Sequence, residues 1–329
     1  MVSRRAFVTI VAGGCVLVQR TVRAQQAGKV YRIGYLHPAT SQDPGGAFSA
    51  LKQALAGLGY LVDRNLKFEE RFAGGKLERL PSLAAELVAL RVDIIVAVSP
   101  SAIRAARDAT ATIPIVMAFS GDDPVKSGFV ASLARPGGNI TGMTSLTSEL
   151  APKWIELLQD AMPGIKRIAV LRSPVRPDHT EQVDVMQAAA RPSGVRLEVV
   201  EARDLEQYGT AFEDMTHKRA EAVIVLSGPE FAQNLVRLAE LAAMHRLPSL
   251  WQYRDFVVAG GLLSYGPNIP DLSARAAVFV DKILRGANPG ELPVQQPTKF
   301  ELAINLKTAK ALGVTIPQSL LLRADEVIQ

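Results

Sequence analysis

The chain has almost no cysteine and lacks the short motifs that mark most metal sites and nucleophilic enzymes. Cys15 is the only cysteine among 329 residues. We expect it to be removed with an export segment, which excludes disulfides and thiolate metal sites from the mature chain. The four histidines have no metal-ligand spacing, and no GxSxG elbow, GxGxxG loop or P-loop follows a strand. We therefore predict no enzyme activity, no metal and no cofactor.

The positive charge of the chain is concentrated at its N-terminus. The formal net charge is +5 and the pI is about 9.3, but residues 1–24 contain four arginines and no acidic residue. Removing those four from the 37 basic residues leaves 33 against 32 acidic residues, a net charge of +1. The remaining chain therefore has no basic excess that would favour nucleic acid as a partner.

Residues 1–24 have the pattern of an export signal of the twin-arginine type. The pair Arg4-Arg5 precedes an apolar stretch, Ala6–Val18, and Val22–Ala24 has the short side chains of a cleavage site. The apolar stretch is too short to span a bilayer. Cys15 lies in a poor lipobox, so we expect an exported periplasmic protein without a lipid anchor.

Short apolar runs alternate with amphipathic segments along the rest of the chain. Asp93–Val98 and Ile113–Phe119 are typical of strands buried on both faces of a parallel sheet. Apolar residues at spacings of three and four predict helices such as Leu77–Leu90 and Phe231–His245. This alternation predicts an α/β fold with two doubly wound parallel-sheet lobes.

The stretch Gly260–Lys307 predicts how the lobes are joined. It has the pattern of a strand, a helix over Asp271–Leu284 and a second strand over Lys299–Asn305. Such a path leaves the second lobe, adds a helix to the first and returns, so we predict a hinge of three segments beside a ligand-binding cleft. The predicted lobes are residues 28–145 with 266–300, and residues 146–265 with 301–329.

Five loops follow predicted strands at the edge where parallel α/β sheets bind ligands. In four of them a serine lies directly after the strand or among the first residues of the loop. Its hydroxyl can cap the next helix or, with exposed amides, hold a carboxylate. For any single serine, helix capping is the alternative to ligand binding. Because all of these serines lie at the same predicted edge, ligand binding is favoured for them as a group. The candidate ligand-binding residues in these loops are His37, Ser99, Ser101, Ser120, Gly121, Asp122, Ser173 and Ser227.

Two neighbouring carboxylates and a group of aromatic residues allow further interpretations. Asp122 and Asp123 can form an acid/base pair, receive an ammonium group or cap the turn at Pro124, and we predict that Asp122 accepts a donor of the ligand. Three aromatic residues lie near the predicted lobe junction, where they can stack on a ligand or be buried against the neighbouring lobe: Trp251, Tyr253 and Tyr265. Of these, Trp251 and Tyr265 are candidate ligand-binding residues.

The block Gly260–Gln329 resembles that of substrate-binding proteins of ABC transporters, tryptophan/tyrosine-type subfamily. Asp123–Val125, Arg135–Gly142 (RPGGNITG) and Tyr31–Leu36 match further signatures of that family. The resemblance covers nearly all of the mature chain. It implies a type I periplasmic-binding-protein fold, in which two lobes joined by three crossings close on a ligand.

The resemblance also implies a function in transport. We expect a periplasmic monomer that binds a small organic solute, aromatic or amino-acid-like, and delivers it to an ABC permease by lobe closure. The alternative is a ligand-sensing protein of the same fold that partners a membrane signalling protein, and no feature of the chain separates the two. A repressor of related fold would need a helix-turn-helix at its N-terminus. The export signal is predicted there instead, which argues against a repressor.

Overall fold

The computed structural model describes residues 29–39, 46–145 and 147–329. The predicted export signal, and Thr40–Gln42 in the first predicted loop, lie outside the described residues. Within those ranges, no helix is both long enough and apolar enough to cross a membrane.

The first sheet has five described strands, all parallel, in the order β2-β1-β3-β4-β5. The strands are β1 (Tyr31–His37), β2 (Leu66–Phe72), β3 (Ile94–Val98), β4 (Ile115–Phe119) and β5 (Ile140–Gly142). The connecting helices are α1 (Ala47–Gly57), α2 (Leu80–Ala89) and α3 (Ser99–Ala109). Apolar side chains of α1 pack on one face of the sheet, and those of α2 and α3 pack on the other. This lobe is therefore doubly wound.

The second sheet has seven described strands in the order β12-β11-β10-β9-β8-β6-β7. The strands are β6 (Arg167–Arg172), β7 (Arg196–Glu201), β8 (Ala222–Val225), β9 (Ser249–Trp251), β10 (Leu263–Pro267), β11 (Phe300–Asn305) and β12 (Glu326–Ile328). The helices that follow β5 along the chain are α4 (Ala151–Ala161), α5 (Pro177–Ala190), α6 (Leu205–His217), α7 (Pro229–Ala232), α8 (Leu235–Met244), α9 (Arg254–Val258), α10 (Ile269–Leu284), α11 (Leu306–Leu312) and α12 (Gln318–Leu321). Again, separate apolar cores lie on the two faces of the sheet.

The chain passes between the two sheets three times. It leaves the first sheet after β5, returns after β10 to form α10, and crosses again before β11. Helix α10 packs on α1, where the Tyr60 hydroxyl donates a hydrogen bond of 2.9 Å to Asp281 Oδ1. The prediction of two α/β lobes with a three-segment hinge is confirmed, while the residues that bound each lobe stay a prediction.

Two local features differ from the sequence-based expectation. The second sheet is mixed, because β11 returns antiparallel to β10 after the chain has passed through the first lobe. The single helix expected over Phe231–His245 is wrong, since α7 and α8 are separated at Asn234. The Asn234 side chain donates to the Glu230 carbonyl at 2.8 Å, a local hydrogen bond that competes with continued helix.

A glycine in β5 is essential to the close approach of β4 and β5. Gly142 has φ of +130°, and a Cβ there would lie 2.3 Å from the Met117 carbonyl oxygen. We expect Gly142→Ala to lower the free energy of unfolding by about 2 kcal/mol or more, measured by chemical denaturation.

Gly57→Ala is the matched control for this substitution. Gly57 is the last residue of α1 and its Cβ position has open space around it, so alanine should leave stability equal or slightly raised. An unfolding midpoint of Gly142→Ala equal to that of the wild type would contradict the steric argument.

Candidate ligand-binding cleft

A cavity of ≈ 630 Å³ lies between the facing edges of the two sheets. The first lobe lines it with residues that follow β1, β3 and β4, and the second lobe with residues that follow β6, β8, β9 and β10. These are carboxyl ends of parallel strands, where backbone N–H groups and loop side chains are available to a ligand. The volume is typical of a site for a small organic molecule.

Six of the ten residues predicted to bind ligand line this cavity. His37 does so with its Nδ1 accepting a hydrogen bond of 3.0 Å from the Ala39 N–H. Asp122 Oδ2 accepts a long hydrogen bond of 3.4 Å from the Ser127 hydroxyl. The six residues are His37, Ser99, Gly121, Asp122, Ser227 and Trp251.

The other four predicted residues do not line the cavity. Ser120 and Ser173 are fully buried; the Ser120 carbonyl accepts from Ser145 N–H at 2.7 Å, and the Ser173 N–H donates to His179 Nδ1 at 3.0 Å. Ser101 is held by its hydroxyl, 3.0 Å from that of Ser99. Tyr265 is half-buried and stacks on Phe300 against the core of the second lobe. These residues support the loops rather than line the cavity.

Helix capping does not account for the serines. Helices α3, α5 and α7 begin without a hydrogen bond from a capping side chain. Asp123 does cap its turn, since its Oδ1 accepts from the N–H groups of Val125 at 2.8 Å and Lys126 at 3.3 Å. The two neighbouring aspartates therefore have separate positions, one in the cavity wall and one in the turn.

Ser99 has a strained backbone at the cavity wall. Its φ is +77° although it is not glycine, a conformation that is uncommon for residues with a Cβ and concentrates at functional sites. Ser99 is the first residue of α3. The strained residue therefore lies at the junction of β3 and α3, where it lines the cavity.

The cavity is also lined by residues that were not predicted from sequence, among them Phe119, Arg176, Gln182 and Asp255, and by Tyr253, which was considered only for its place near the lobe junction. Phe119 and Tyr253 come from opposite lobes, and their ring centroids are 6.5 Å apart at 71°. Phe119 is the last residue of β4 and was interpreted as part of a buried strand. A signal for Arg176 was available, because it lies directly before Pro177 at the start of α5, just beyond a loop that had been selected.

Burial changes the acidity of two cavity groups. Burial raises the pKa of Tyr253 to about 12, although a hydrogen bond with Ser227 and the charge of Arg176 act in the opposite direction. Burial also raises the pKa of Asp255, and the nearby charge of Arg254 only partly opposes this. The Asp255 carboxylate has no hydrogen-bond partner among the described residues. It is therefore an ionisable acceptor that the second lobe presents to the cavity.

Comparison with known proteins identifies the family. The family model described as ABC transporter substrate binding protein matches residues 37–328. The chain belongs to this family. Its members bind solutes for transport, so the protein is a substrate-binding protein and not an enzyme. The two-lobed fold is that of the type I periplasmic binding proteins, as expected from the resemblance.

Three relatives are similar along most of the chain. A tyrosine-binding protein of Clostridioides difficile is 26% identical over 278 residues, which are 84% of this chain and 78% of the relative. A conserved domain protein of Vibrio cholerae has a TM-score of 0.85 at 26% identity, with 91% of this chain and 100% of the other covered. An ABC domain of Streptococcus pneumoniae in complex with L-Trp has a TM-score of 0.84 at the same identity and coverage.

The desolvated Asp255 carboxylate should destabilise the empty protein at neutral pH. Its pKa is raised above the value of 3.8 expected in the unfolded chain, so the unfolded state ionises first as the pH rises and the free energy of unfolding falls. We expect Asp255→Asn to raise the melting temperature at pH 7, and the gain to shrink as the pH falls towards 3.8. Thermal unfolding across this pH range measures the effect.

Asp108→Asn is the control, because Asp108 is an exposed carboxylate on α3 paired with Arg107. It should show no such gain at pH 7. A melting temperature of Asp255→Asn that is lower than that of the wild type at pH 7 would contradict the assignment of a burial penalty to this carboxylate.

Proposed function

We propose that the protein captures a small aromatic solute, an aromatic amino acid or an aromatic acid, and presents it to an ABC importer. The observation that carries this proposal is the composition of the cavity. Aromatic rings from both lobes, Phe119, Trp251 and Tyr253, line the same space as the charged groups of Asp122 and Arg176. Such a wall suits a ligand with a flat apolar body and a charged end.

The relatives support the same class of ligand. One is named as a tyrosine-binding protein, and the structure from Streptococcus pneumoniae contains L-Trp. Each shares only about a quarter of its residues with this chain, so an aromatic ligand class is proposed here and a particular amino acid is not.

Closure of the lobes is the proposed mechanism. The Gln252 side chain of the second lobe donates from Nε2 to Thr147 Oγ1, at the first crossing, at 2.8 Å. Lys126 Nζ of the first lobe is 2.8 Å from Glu181 Oε1 of the second. A ligand that contacts both lobes favours the closed form, because it gains its full set of contacts only there. The permease would then recognise the closed surface.

The proposed setting is the periplasm. Substrate-binding proteins of ABC importers act outside the cytoplasm, and the export signal predicted over residues 1–24 would bring the chain there. We propose that it acts as a monomer, since one chain supplies both walls of the cavity.

Binding is tested by isothermal titration calorimetry with L-Trp, L-Tyr, L-Phe and the corresponding aromatic acids. We expect at least one of them to bind 1:1 with a Kd of about 1 µM or tighter, with a negative heat-capacity change from apolar burial. Phe119→Ala should weaken that binding roughly 10- to 100-fold, because an apolar ring contact is lost.

Val258→Ala serves as the control, since Val258 is an exposed apolar residue outside the cavity. It should bind as the wild type does. If the wild type binds no aromatic compound but binds a sugar or an aliphatic amino acid, the proposed ligand class is wrong.

The ion pair between the lobes gives an independent test of closure. Lys126 and Glu181 are exposed, join the two lobes and lie outside the cavity lining, and Glu181 raises the pKa of Lys126. Glu181→Gln should raise the Kd about two- to fivefold at low salt, with a smaller effect at high salt. The double charge reversal Lys126→Glu with Glu181→Lys should restore binding; if it does not, the pair does not stabilise closure.

A further inference from the structure

The side chain of Gln252 is held between two of the segments that join the lobes. Gln252 is only 1% exposed, although it lines the cavity. On one side its Nε2 donates to Thr147 Oγ1 at the first crossing, at 2.8 Å. On the other side lies Gly266 in β10, where a Cβ would be 2.1 Å from the Gln252 carbonyl oxygen and 2.8 Å from its Cγ. Gln252 therefore has a fixed position in the cavity wall.

A chain of hydroxyl groups decides which end of the Gln252 amide faces Thr147. The Ser145 hydroxyl donates its single proton to the Ser120 carbonyl at 3.0 Å, so it accepts at its contact of 3.1 Å with Thr147 Oγ1. The Thr147 proton is thereby used, and Thr147 Oγ1 can only accept from Gln252. A rotated amide would bring two acceptors together, so Nε2 faces Thr147 and Oε1 points away from it.

The remaining acceptor of this amide has no partner. Gln252 Oε1 is buried and lacks a hydrogen-bond partner among the described residues. Buried amide oxygens in folded proteins almost always have a partner, and they can only accept. Gln182 is 6% exposed and lines the same cavity, and its buried Oε1 also lacks a partner within the described part of the chain. Both oxygens need a donor, which a ligand in the cavity can supply.

The charges of the cavity wall favour a donor that is a cation. Among the described residues, the wall has three basic side chains against five acidic ones, a formal net charge of −2 with histidine neutral. The basic side chains are Arg176, Arg254 and Lys299, and the acidic ones are Asp122, Asp255, Glu301, Asp325 and Glu326. A cleft lined by an excess of one charge attracts ligands of the opposite charge.

We propose that Gln252 Oε1 accepts a hydrogen bond from a protonated amino group of the ligand, which makes Gln252 a specificity-determining residue. This inference rests on the proposed function and narrows its substrate class to aromatic compounds that carry an amine, such as aromatic amino acids. An aromatic acid without an amino group leaves the Gln252 oxygen buried and without a partner. It also adds negative charge to a wall that already has an excess of it.

The test compares compounds that share a ring and a carboxylate and differ in the amino group. Wild-type protein is titrated calorimetrically with L-Trp and indole-3-propionate, L-Tyr and 3-(4-hydroxyphenyl)propionate, and L-Phe and 3-phenylpropionate. We expect at least one amino acid to bind, and its counterpart without the amine to bind at least about 10-fold more weakly. A smaller difference in every ring series, or tighter binding without the amine, overturns this inference and leaves the proposed function standing. Absence of binding to every compound overturns both.

Gln252→Met assigns the preference to the amide oxygen. Loss of the Nε2 contact with Thr147 affects both members of a ligand pair alike, whereas loss of Oε1 affects only the member with the amine. The ratio of the two affinities should therefore fall at least about fivefold. Weakening of both compounds with an unchanged ratio would show a merely structural role and overturn the inference.

Thr147→Val tests the orientation of the amide by a second route. It removes the hydroxyl that fixes Nε2, so the Gln252 amide can rotate and offer its N–H₂ group to a ligand without an amine. The compound without the amine should gain affinity relative to the amino acid, and the ratio should again fall at least about threefold. This variant keeps the test decisive if Gln252→Met folds poorly, because an unchanged ratio contradicts the fixed orientation.

Gln187→Met is the matched control. Gln187 is an exposed glutamine on α5 and lies outside the cavity lining. The same substitution there should leave both affinities within about threefold of the wild type and their ratio unchanged. Ratios of Gln252→Met and Thr147→Val that equal that of Gln187→Met would overturn the inference.

Discussion

The antiparallel pairing of β10 with β11 is the constraint on which the two-lobed structure depends. Leu263 pairs with Ile304 and Pro267 with Phe300, so the chain that leaves the second sheet and the chain that re-enters it lie side by side. Helix α10 is held in the first lobe between them. Trp154 strengthens this region by donating from Nε1 to the Tyr265 carbonyl at 2.8 Å.

This pairing also decides where motion is possible. The two crossings that flank α10 connect to adjacent strands of the second sheet, β10 and β11. The third crossing follows β5 and lies beside the segment that precedes β11, because Met143 pairs with Gln295 there. Rotation of one lobe against the other therefore needs to change backbone angles only in these connectors. The sheets and their cores can stay intact, because each lobe has apolar packing on both faces of its own sheet.

The fold was largely predictable because its signals are local in sequence. Continuous apolar runs such as Ile94–Val98 identify buried parallel strands, and their alternation with amphipathic helices limits the architecture. The direction of β11 was not predictable, because it follows from where the chain re-enters the sheet and not from its own residues. The break at Asn234 was also missed, since it depends on one side-chain hydrogen bond within an otherwise helical pattern.

The site was predictable at the level of loops but only partly at the level of side chains. The rule that ligands bind at carboxyl ends of strands selected the edge of each sheet that faces the cavity. It does not give the direction of each side chain, and neighbouring residues in extended chain point to opposite sides. Ser264 therefore faces the cavity while Tyr265 packs against the core of the second lobe, although the aromatic residue was the more attractive candidate from sequence.

Polar atoms without partners concentrate where the two lobes meet. Among the described residues, Trp251 Nε1, Gln182 Oε1 and Gln252 Oε1 are buried, lack hydrogen-bond partners and belong to residues that line the cavity. Each lowers the stability of the empty protein, since a buried polar group without a partner loses its hydration and gains nothing in return. Asp255 adds a desolvated carboxylate to the same wall. A binding protein tolerates these groups because its ligand can supply the missing hydrogen-bond partners. The free energy that these groups cost the empty protein is then regained on binding and increases the affinity.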